Sequence, residues 1–296
     1  MDWDKLRIFH MVAKAGSFTH AGESLNLSQS AVSRHISSFE EDLGIHLFHR
    51  HARGLILTEQ GELLFQTSTE IFSKMMAIEG QLSDARSSTE GDLSVTLPEF
   101  LGTSWLAPHV GKFHSQHPEI ELSLLLDDRI FNLGLREADA AVRLYKPEQS
   151  ELIQRHLTSI NFVVCASKDY LSTHGTPKKL NDLKSHTLIA YPQQALVPYK
   201  NPNSLFEQAD ISFTKNKDLI LLNSISTIRQ AIRSGAGIGV LPRFMMAGLG
   251  DIVQLLPDVK INPVDMFFVY PEDRRHSKRI ATFRDFLINL VEKTDF

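Results

Sequence analysis

The run Ser28-Gln29-Ser30-Ala31-Val32-Ser33-Arg34-His35-Ile36-Ser37 constrains this chain more than any other stretch. Val32, Ile36, Phe39 and Leu43 follow one another at steps of four, three and four, the spacing of a buried stripe on a helix. Gln29, Ser30, Ser33, Arg34 and Ser37 fall on the opposite side. A solvated helix face ordinarily carries Glu and Lys, whereas this one is small and hydrogen-bonding, with Arg34 as its full charge. Gln pairs with adenine edges, Arg with guanine, and Ser with phosphates or bases, so the face suits close approach to DNA. A Ser-rich surface helix has the same pattern, and the flanking residues decide between the two.

Residues 4–15 read as an amphipathic helix with Leu6, Phe9, Val12 and Ala13 inward, ended by Gly16. A short second helix starts at Ser17 or Phe18-Thr19 and runs to Leu25, with Ala21 and Gly22 small enough for a close crossing. Asn26-Leu27 make the turn, and Ser28 caps the third helix. Helix, short helix, tight turn and polar-faced helix is a helix-turn-helix layout. Residues 45–50 and 55–57 are strand-like, and His51-Ala52-Arg53-Gly54 joins them as a wing whose Arg53 can reach a phosphate or a minor groove.

Thr58 can cap a long helix running to about Ser87. Leu64, Ile71, Ile78 and Ala85 repeat every seven residues, and Met75 and Leu82 sit four after Ile71 and Ile78. That is a coiled-coil seam, weakened by Ser68, and it fits either a second subunit or the helix's own domain. Ser87-Ser88-Thr89-Glu90-Gly91 is a breaker-rich hinge.

Charge gives a mixed signal. Net charge is −4, and the first 65 residues hold six Lys/Arg against eight Asp/Glu, although DNA-binding domains are usually basic. Locally, Arg34, Arg50 and Arg53 cluster with His46, His49 and His51, while Glu40, Glu41 and Asp42 lie at the far end of the polar-faced helix. Binding by one copy is therefore expected to be weak and salt-sensitive. The 296 residues suggest two or three domains, and 42% apolar with 22% charged residues is ordinary for a globular chain. No apolar run approaches the roughly 18 residues that span a bilayer. The opening Met1-Asp2-Trp3-Asp4-Lys5 does not read as a signal peptide. A cytoplasmic protein with no membrane partner is expected.

Ser17-Phe18-Thr19, Ala21, Leu25, Leu27-Ser28-Gln29-Ser30-Ala31-Val32-Ser33, Ile36, Glu40, Leu43-Gly44, Leu47-Phe48, Arg50, Leu57-Thr58 and Gly61 together resemble the signature of LysR-type transcriptional regulators. The match covers almost all of the first 65 residues in order and spacing. It implies a winged helix-turn-helix on operator DNA, with Ser28, Gln29, Ser30, Ser33, Arg34, Arg50 and Arg53 as the DNA-binding residues. It also implies an effector-binding domain behind, and a long helix pairing antiparallel with a second subunit's. The expected partners are double-stranded DNA, a small-molecule effector, RNA polymerase and further copies of the chain, as a homotetramer built as a dimer of dimers. The first ten residues and the His49 to Gly54 wing look, more loosely, like a subgroup of that family called LsrB.

From Asp92 on, strand-like runs at 93–97, 120–126, 138–144, 161–166, 187–191, 219–222, 239–241 and 266–270 alternate with helix patterns at 105–117, 225–234 and 276–291. This alternation argues for α/β structure with a largely parallel sheet. Gly235-Ala236-Gly237-Ile238-Gly239 follows a helix and precedes a strand, the wrong order for a phosphate cradle, so it reads as a helix cap and tight turn. Ala166-Ser167-Lys168-Asp169-Tyr170-Leu171, Gly175-Thr176-Pro177, Asp182-Leu183, His186 and Gly237-Ile238-Gly239-Val240-Leu241-Pro242 resemble landmarks of the LysR effector domain. That likeness implies two α/β subdomains like those of periplasmic binding proteins, joined by crossovers near 161–167 and 263–268. The fold class is thus α+β and multidomain. A DNA-binding domain is expected at 1–58, a linker helix and hinge at 59–91, and an effector domain at 92–296. Within the last, subdomain I covers 92–162 with 267–296, and subdomain II covers 163–266.

Ligands of such clefts bind outside the carboxyl ends of strands and near helix N-termini. That rule selects Pro98, Glu99, Phe100, Leu101 and Thr103 after the first strand, Asp127 and Asp128 after the second, and Ser224 before a helix, with Arg143 and Tyr199 contributing. Carboxylate-binding relatives often offer Ser or Thr where Glu99 and Phe100 stand. The acids favour a cation, a polar neutral molecule or a metal, unless they are solvated or paired with Arg129 and Arg143.

Chemistry beyond binding finds little support. His46, His49 and His51 lack the spacing of a helical metal pair, and His114 and His117 sit at a helix end. The lone Cys165 excludes an intrachain disulfide and lies in an apolar run, the setting of an inert thiol; oxidant sensing would need a sulfenic acid or an intermolecular bond. No catalytic, metal or cofactor site is expected. The rival is a small-molecule binding protein or enzyme using its winged helix for protein contacts; it would need a nucleophile–base pair or phosphate loop.

Overall fold

The computed structural model describes residues 2–51, 54–84, 89–134, 136–147, 149, 151–211, 218–246 and 250–296. They divide into two units, residues 1–82 and 83–296.

The first unit holds α1 (Trp3–Ala15), α2 (Phe18–Leu25), α3 (Gln29–Leu43), β1 (Phe48–His51), β2 (Gly54–Leu57) and α4 (Glu59–Asp84). α1 and α3 start and stop where their capping residues dictate. Asp2 accepts from the Asp4 and Lys5 amides, and Gly16 and Gly44 end α1 and α3 in the left-handed conformation. Ser28 caps α3 through the Ala31 amide at 3.2 Å. Phe9, Val12, Ala21, Val32, Ile36, Phe39 and Leu47 form the core. Ile8 is buried as well, although the helical spacing did not single it out. Gly22 is needed where α2 meets the turn: an added Cβ would lie 2.6 Å from the Leu27 carbonyl.

Glu40 departs from the reading of it as a helix-end acid. It is buried, and its carboxylate accepts from the Leu47 amide at 2.7 Å and the Phe48 amide at 3.2 Å. Thr58 completes this junction, donating to the His46 carbonyl and accepting from the Gly61 amide. β1 and β2 pair antiparallel from Phe48↔Leu57 to His51↔Gly54, and Arg53 at the wing tip lies outside the described residues.

The seam of α4 divides. Leu64, Phe65 and Ile71 pack on the first unit's own core, and Ser68 is fully buried. Ser68 Oγ donates to the Phe65 carbonyl and lies 3.0 Å from His10 Nδ1, so the imidazole nitrogen is the donor to it. Burial of His10, then the nearby Lys14 charge, holds its pKa below the usual histidine value. Met75 and Ile78 are 41% and 57% exposed within the chain, which leaves the later heptad free for another surface. Ala85 lies outside the described residues.

In the second unit β3 (Gly91–Leu97), β4 (Ile120–Leu126), β5 (Ala140–Arg143), β6 (Leu152–Ile160) and β12 (Val264–Pro271) form a sheet in the order β4-β3-β5-β12-β6. β7 (Phe162–Ser167), β10 (Gly239–Pro242) and β11 (Ile252–Leu255) form a second sheet in the order β10-β7-β11, and β8 (Leu188–Ala190) pairs with β9 (Leu219–Leu221). The helices are α5 (Glu99–Leu101), which continues through a π-turn at Gly102–Leu106 into α6 (Ala107–Gln116), then α7 (Lys168–His174), α8 (Ser204–Gln208), α9 (Ile225–Arg233) and α10 (Lys278–Val291). Short 3₁₀ turns lie at Leu180–Ser185, Arg243–Met246 and Glu272–Arg274.

The sheets are mixed rather than largely parallel. β3 runs parallel to β4 and β5, but β12 is antiparallel to both β5 and β6, and β7 is antiparallel to β10 and β11. The cause is the chain path: β6 leads straight into β7, and β12 re-enters the first sheet from the far side. β12 pairs with β6 from Val264↔Ile160, so residues 264–266 belong with the first sheet and not with the second subdomain, where a boundary at 266/267 placed them. Gly235 caps α9 at φ 81°, and Gly237 passes so close to Thr187 that a Cβ would meet its carbonyl oxygen at 2.5 Å; the segment is a packed turn. Among the described residues no helix is long and apolar enough to cross a membrane.

Removing the Glu40 carboxylate would leave two buried amides unpaired. Glu40→Ala is expected to cost about 2–3 kcal/mol of unfolding free energy, read by urea denaturation, with Glu40→Gln intermediate. An unchanged midpoint in Glu40→Ala would show that the junction does not depend on this carboxylate.

Candidate functional site

Two surfaces carry the residues singled out in the sequence. The first is the polar face of α3. Ser28, Gln29, Ser30 and Arg34 are exposed and Ser33 is half-buried, while the opposite face holds Val32, Ile36 and Phe39 at 0–1% exposure. The face is therefore rigidly backed. Ser28 spends its oxygen on the cap and sits 3.1 Å from Ser30 Oγ. Gln29, Ser33 and Arg34 have no side-chain partner among the described residues, so their donors and acceptors are free for another molecule. Two of the three acids at the far end of α3 are engaged elsewhere. Glu40 is buried under the wing, and Asp42 binds Lys5 at 2.6 Å while Lys5 also donates to Ser38. Arg50 lies in β1.

The second surface is a cleft where the carboxyl ends of three mutually parallel strands meet. β3 ends at Leu97 and delivers Pro98 and Glu99; β4 ends at Leu126 and delivers Asp127 and Asp128; β5 ends on Arg143. A cavity of about 290 Å³ opens there, lined by Pro98, Asp127, Asp128, Arg143 and Tyr199 of the expected residues. A larger one of about 790 Å³ shares Arg143, Tyr145, Tyr199 and Lys200 with it and continues along Phe162, Val240 and Ile261.

The remaining expected residues do not line either cavity. Phe100 and Leu101 are 2% and 0% exposed and belong to the core, Phe100 stacking on Phe244 at 6.3 Å. Residue 99 begins a helix, which turns the next two side chains inward under β3. Thr103 faces solvent and donates to the Glu99 carbonyl within the same helix. Glu99 reaches across instead: its carboxylate accepts from Ser226 Oγ at 2.9 and 3.2 Å and from Ser224 Oγ at 3.5 Å, at the N-terminus of α9. Tyr145 and Lys200 line both cavities, and sequence reasoning passed over them although they adjoin Arg143 and Tyr199.

The charges are also differently disposed from the acidic cleft the loops suggested. Asp127 pairs with Arg129 through the backbone amide at 2.8 Å and Nε at 2.7 Å. The backbone N–H, backed by the guanidinium, holds the Asp127 carboxyl below its ordinary range. Burial pushes Asp128 up, and the Glu99 and Asp127 charges add to it against the Glu99 N–H that Asp128 accepts. Arg143 pairs with neither acid. It is 7% exposed, donating to the Phe131 carbonyl at 2.6 Å and to the Tyr145 hydroxyl at 3.0 Å. Burial raises the Tyr199 and Tyr191 hydroxyls above their usual range, so both are neutral donors and acceptors.

A helix-turn-helix with a wing and an α/β unit with a cleft between two sheets together define a DNA-binding protein with a ligand-binding partner domain. Residues 3–62 match the lysR-family model of bacterial regulatory helix-turn-helix proteins, and residues 86–291 match the LysR substrate binding domain. The chain belongs to the LysR family of transcriptional regulators. It is 32% identical over 293 residues to the transcriptional regulator CrgA of Neisseria meningitidis, covering 96% of this chain and 95% of that one. The CrgA structure superposes with a TM-score of 0.59, covering 98% of this chain and 99% of that one at 30% identity. Full-length AphB of Vibrio cholerae, a virulence activator, shares the fold with a TM-score of 0.62 at 24% identity, covering 98% and 99%.

Cys165 sits at the centre of the second sheet, paired with Gly239 on one side and Gln254 on the other, and is fully buried. Burial pushes its thiol up to about 12. At pH 8 such a thiol is about one part in 10⁴ thiolate. The native chain is therefore expected to resist Ellman's reagent at pH 8 and to release one equivalent only after denaturation. Prompt reaction of the folded protein would restore Cys165 as a candidate sensor.

Proposed function

We propose that this chain binds operator DNA as a homo-oligomer, a dimer of dimers, through Gln29, Ser30, Ser33 and Arg34 on α3. Ser28 fixes the helix start beside the backbone, and Arg50 and Arg53 of the wing hold phosphate or minor groove. A small effector in the cleft formed by Pro98, Asp127, Asp128, Arg143 and Tyr199 sets the relation of its two subdomains, and so the spacing of the recognition helices and the contact with RNA polymerase. The protein works by shifting binding equilibria and not by turnover, and it works in the cytoplasm.

The observation that carries this reading is the α3 face itself. It presents three hydrogen-bonding side chains with no partner among the described residues, on a helix immobilised by its own cap and core. A helix held this way can enter a major groove without first losing side-chain bonds. The exposed Met75 and Ile78 of α4 supply an apolar edge for a second subunit, which would place two recognition helices on successive grooves about 34 Å apart.

A gel shift with the DNA upstream of the chain's own gene tests the reading, since no specific retardation at low salt would defeat it. Arg34→Ala is expected to weaken that complex by about 10- to 100-fold and to relax preference at one base position. A footprint and affinity identical to wild type would remove Arg34 as a base reader.

A further inference from the structure

The charges facing the cleft do not cancel. Each acid that faces it among the described residues has a partner. Asp127 is held by Arg129, Asp128 by the Glu99 amide, and Glu99 by Ser226 and Ser224. Asp265, on the wall of the larger cavity, accepts from Ser159 at 2.6 Å and lies 3.4 Å from His156. Arg143 has no such neutralisation. It is almost wholly buried, its two protein bonds go to a neutral carbonyl and a neutral phenol, and no carboxylate meets it among the described residues. A guanidinium carries five N–H donors, so the fork keeps free donors, and it borders both cavities. Burying a cation without a counter-charge is costly, and a ligand anion removes that cost. Lys146 and Lys200 stand exposed on the wall of the larger cavity without an ion pair among the described residues.

Glu99 matters for where an anion can go. A helix N-terminus is the usual seat for a ligand carboxylate in an α/β cleft. Here the N-terminus of α9 already holds the chain's own carboxylate.

We propose that the effector is a small organic acid whose carboxylate sits on Arg143, beside Tyr145 and Lys200, with an apolar body lying along Phe162, Val240 and Ile261. Glu99 acts as a built-in anion that closes the α9 end of the cleft and directs the acid to the other end. Arg143 is then the residue that selects acid over amide or amine, because its planar fork matches a carboxylate with two parallel bonds. The assignment rests on the reading of this cleft as the effector site.

The test is a thermal-unfolding screen of the full chain at constant ionic strength with matched probes: benzoate and isovalerate, their amides, and benzylamine and isoamylamine. The acids are expected to raise the melting temperature at millimolar concentration and the amides and amines to leave it unchanged, since a ligand bound only by the folded state stabilises it. Arg143→Gln should weaken acid binding by about 10- to 100-fold and Arg143→Lys by less. Arg143 also holds the Phe131 carbonyl, so Lys200→Gln serves as a second variant that spares the fold; it should lower the acid affinity by about threefold. Acids that bind Arg143→Gln as well as wild type overturn the assignment, as does an acid affinity unmoved by Lys200→Gln. If amides or amines stabilise and acids do not, the cleft remains an effector site and the anion assignment falls. If no probe of any class binds, both fall.

Discussion

Buried backbone and side-chain polar groups must find partners, and in this chain carboxylates supply them at the joints. Glu40 takes the two amides where α3 passes into the wing. Asp139 does the same in the second unit: it accepts from the Ser94 amide and hydroxyl at 2.8 and 2.9 Å and faces the buried Arg274 at 3.4 Å. That ties the entry to β5 to β3, and both to the turn that follows β12. The order β4-β3-β5-β12 is therefore fixed at one end by a charged group and at the other by the loops of the cleft.

With the strands pinned at that end, their carboxyl ends emerge together at the opposite one. Parallel pairing of β3 with β4 and β5 aligns the last residues, and the next residues become a wall. The C-terminus adds a tie near the crossover. Asn161 donates to the Phe296 carbonyl, Trp105 to Thr294, and the Phe296 ring packs on both Trp105 and Phe244. Trp105 belongs to the first sheet's helix and Phe244 to the turn after β10, so one terminal residue touches both subdomains. Together with the Glu99–Ser226 contact and the Phe100–Phe244 stack, this joins the two sides of the cleft by apolar links and a polar one. An apolar packing contact tolerates small rotations better than a short hydrogen bond, so the polar link is the more sensitive to what enters the cleft.

Local pattern predicted local structure well and pairing poorly. The polar-faced helix, the Ser28 cap, the wing strands and β4 were legible because spacing and capping are properties of neighbours in sequence. β6 escaped notice because Gln154, Arg155 and His156 interrupt its apolar alternation on an edge strand. β11 is four residues long, with only its ends buried. Phe100 and Leu101 look like loop residues in the sequence, since nothing local shows that a helix begins at residue 99 and turns them into the core. The cleft acids were visible, and their partners were not. Asp127 found Arg129 two residues away, but Glu99 found serines more than a hundred residues on, and Arg143 found a carbonyl instead of an acid.

The same distinction resolves the charge of the N-terminal unit. Counting Lys and Arg against Asp and Glu gives an acidic domain, which argues against DNA. The count treats all charges as surface charges. Asp2 caps α1, Glu40 is buried, and Asp42 is paired with Lys5, so three of the eight acids act inside the unit. What the Gln29–Ser37 part of α3 turns outward is neutral or basic. On the proposed reading, the potential that DNA meets depends on Arg34 and the wing arginines and not on the sum. On that reading each copy makes few phosphate contacts, the electrostatic well is shallow, and occupancy depends on how many copies are held in register. A ligand that alters the spacing between copies therefore changes binding without touching any residue that meets DNA.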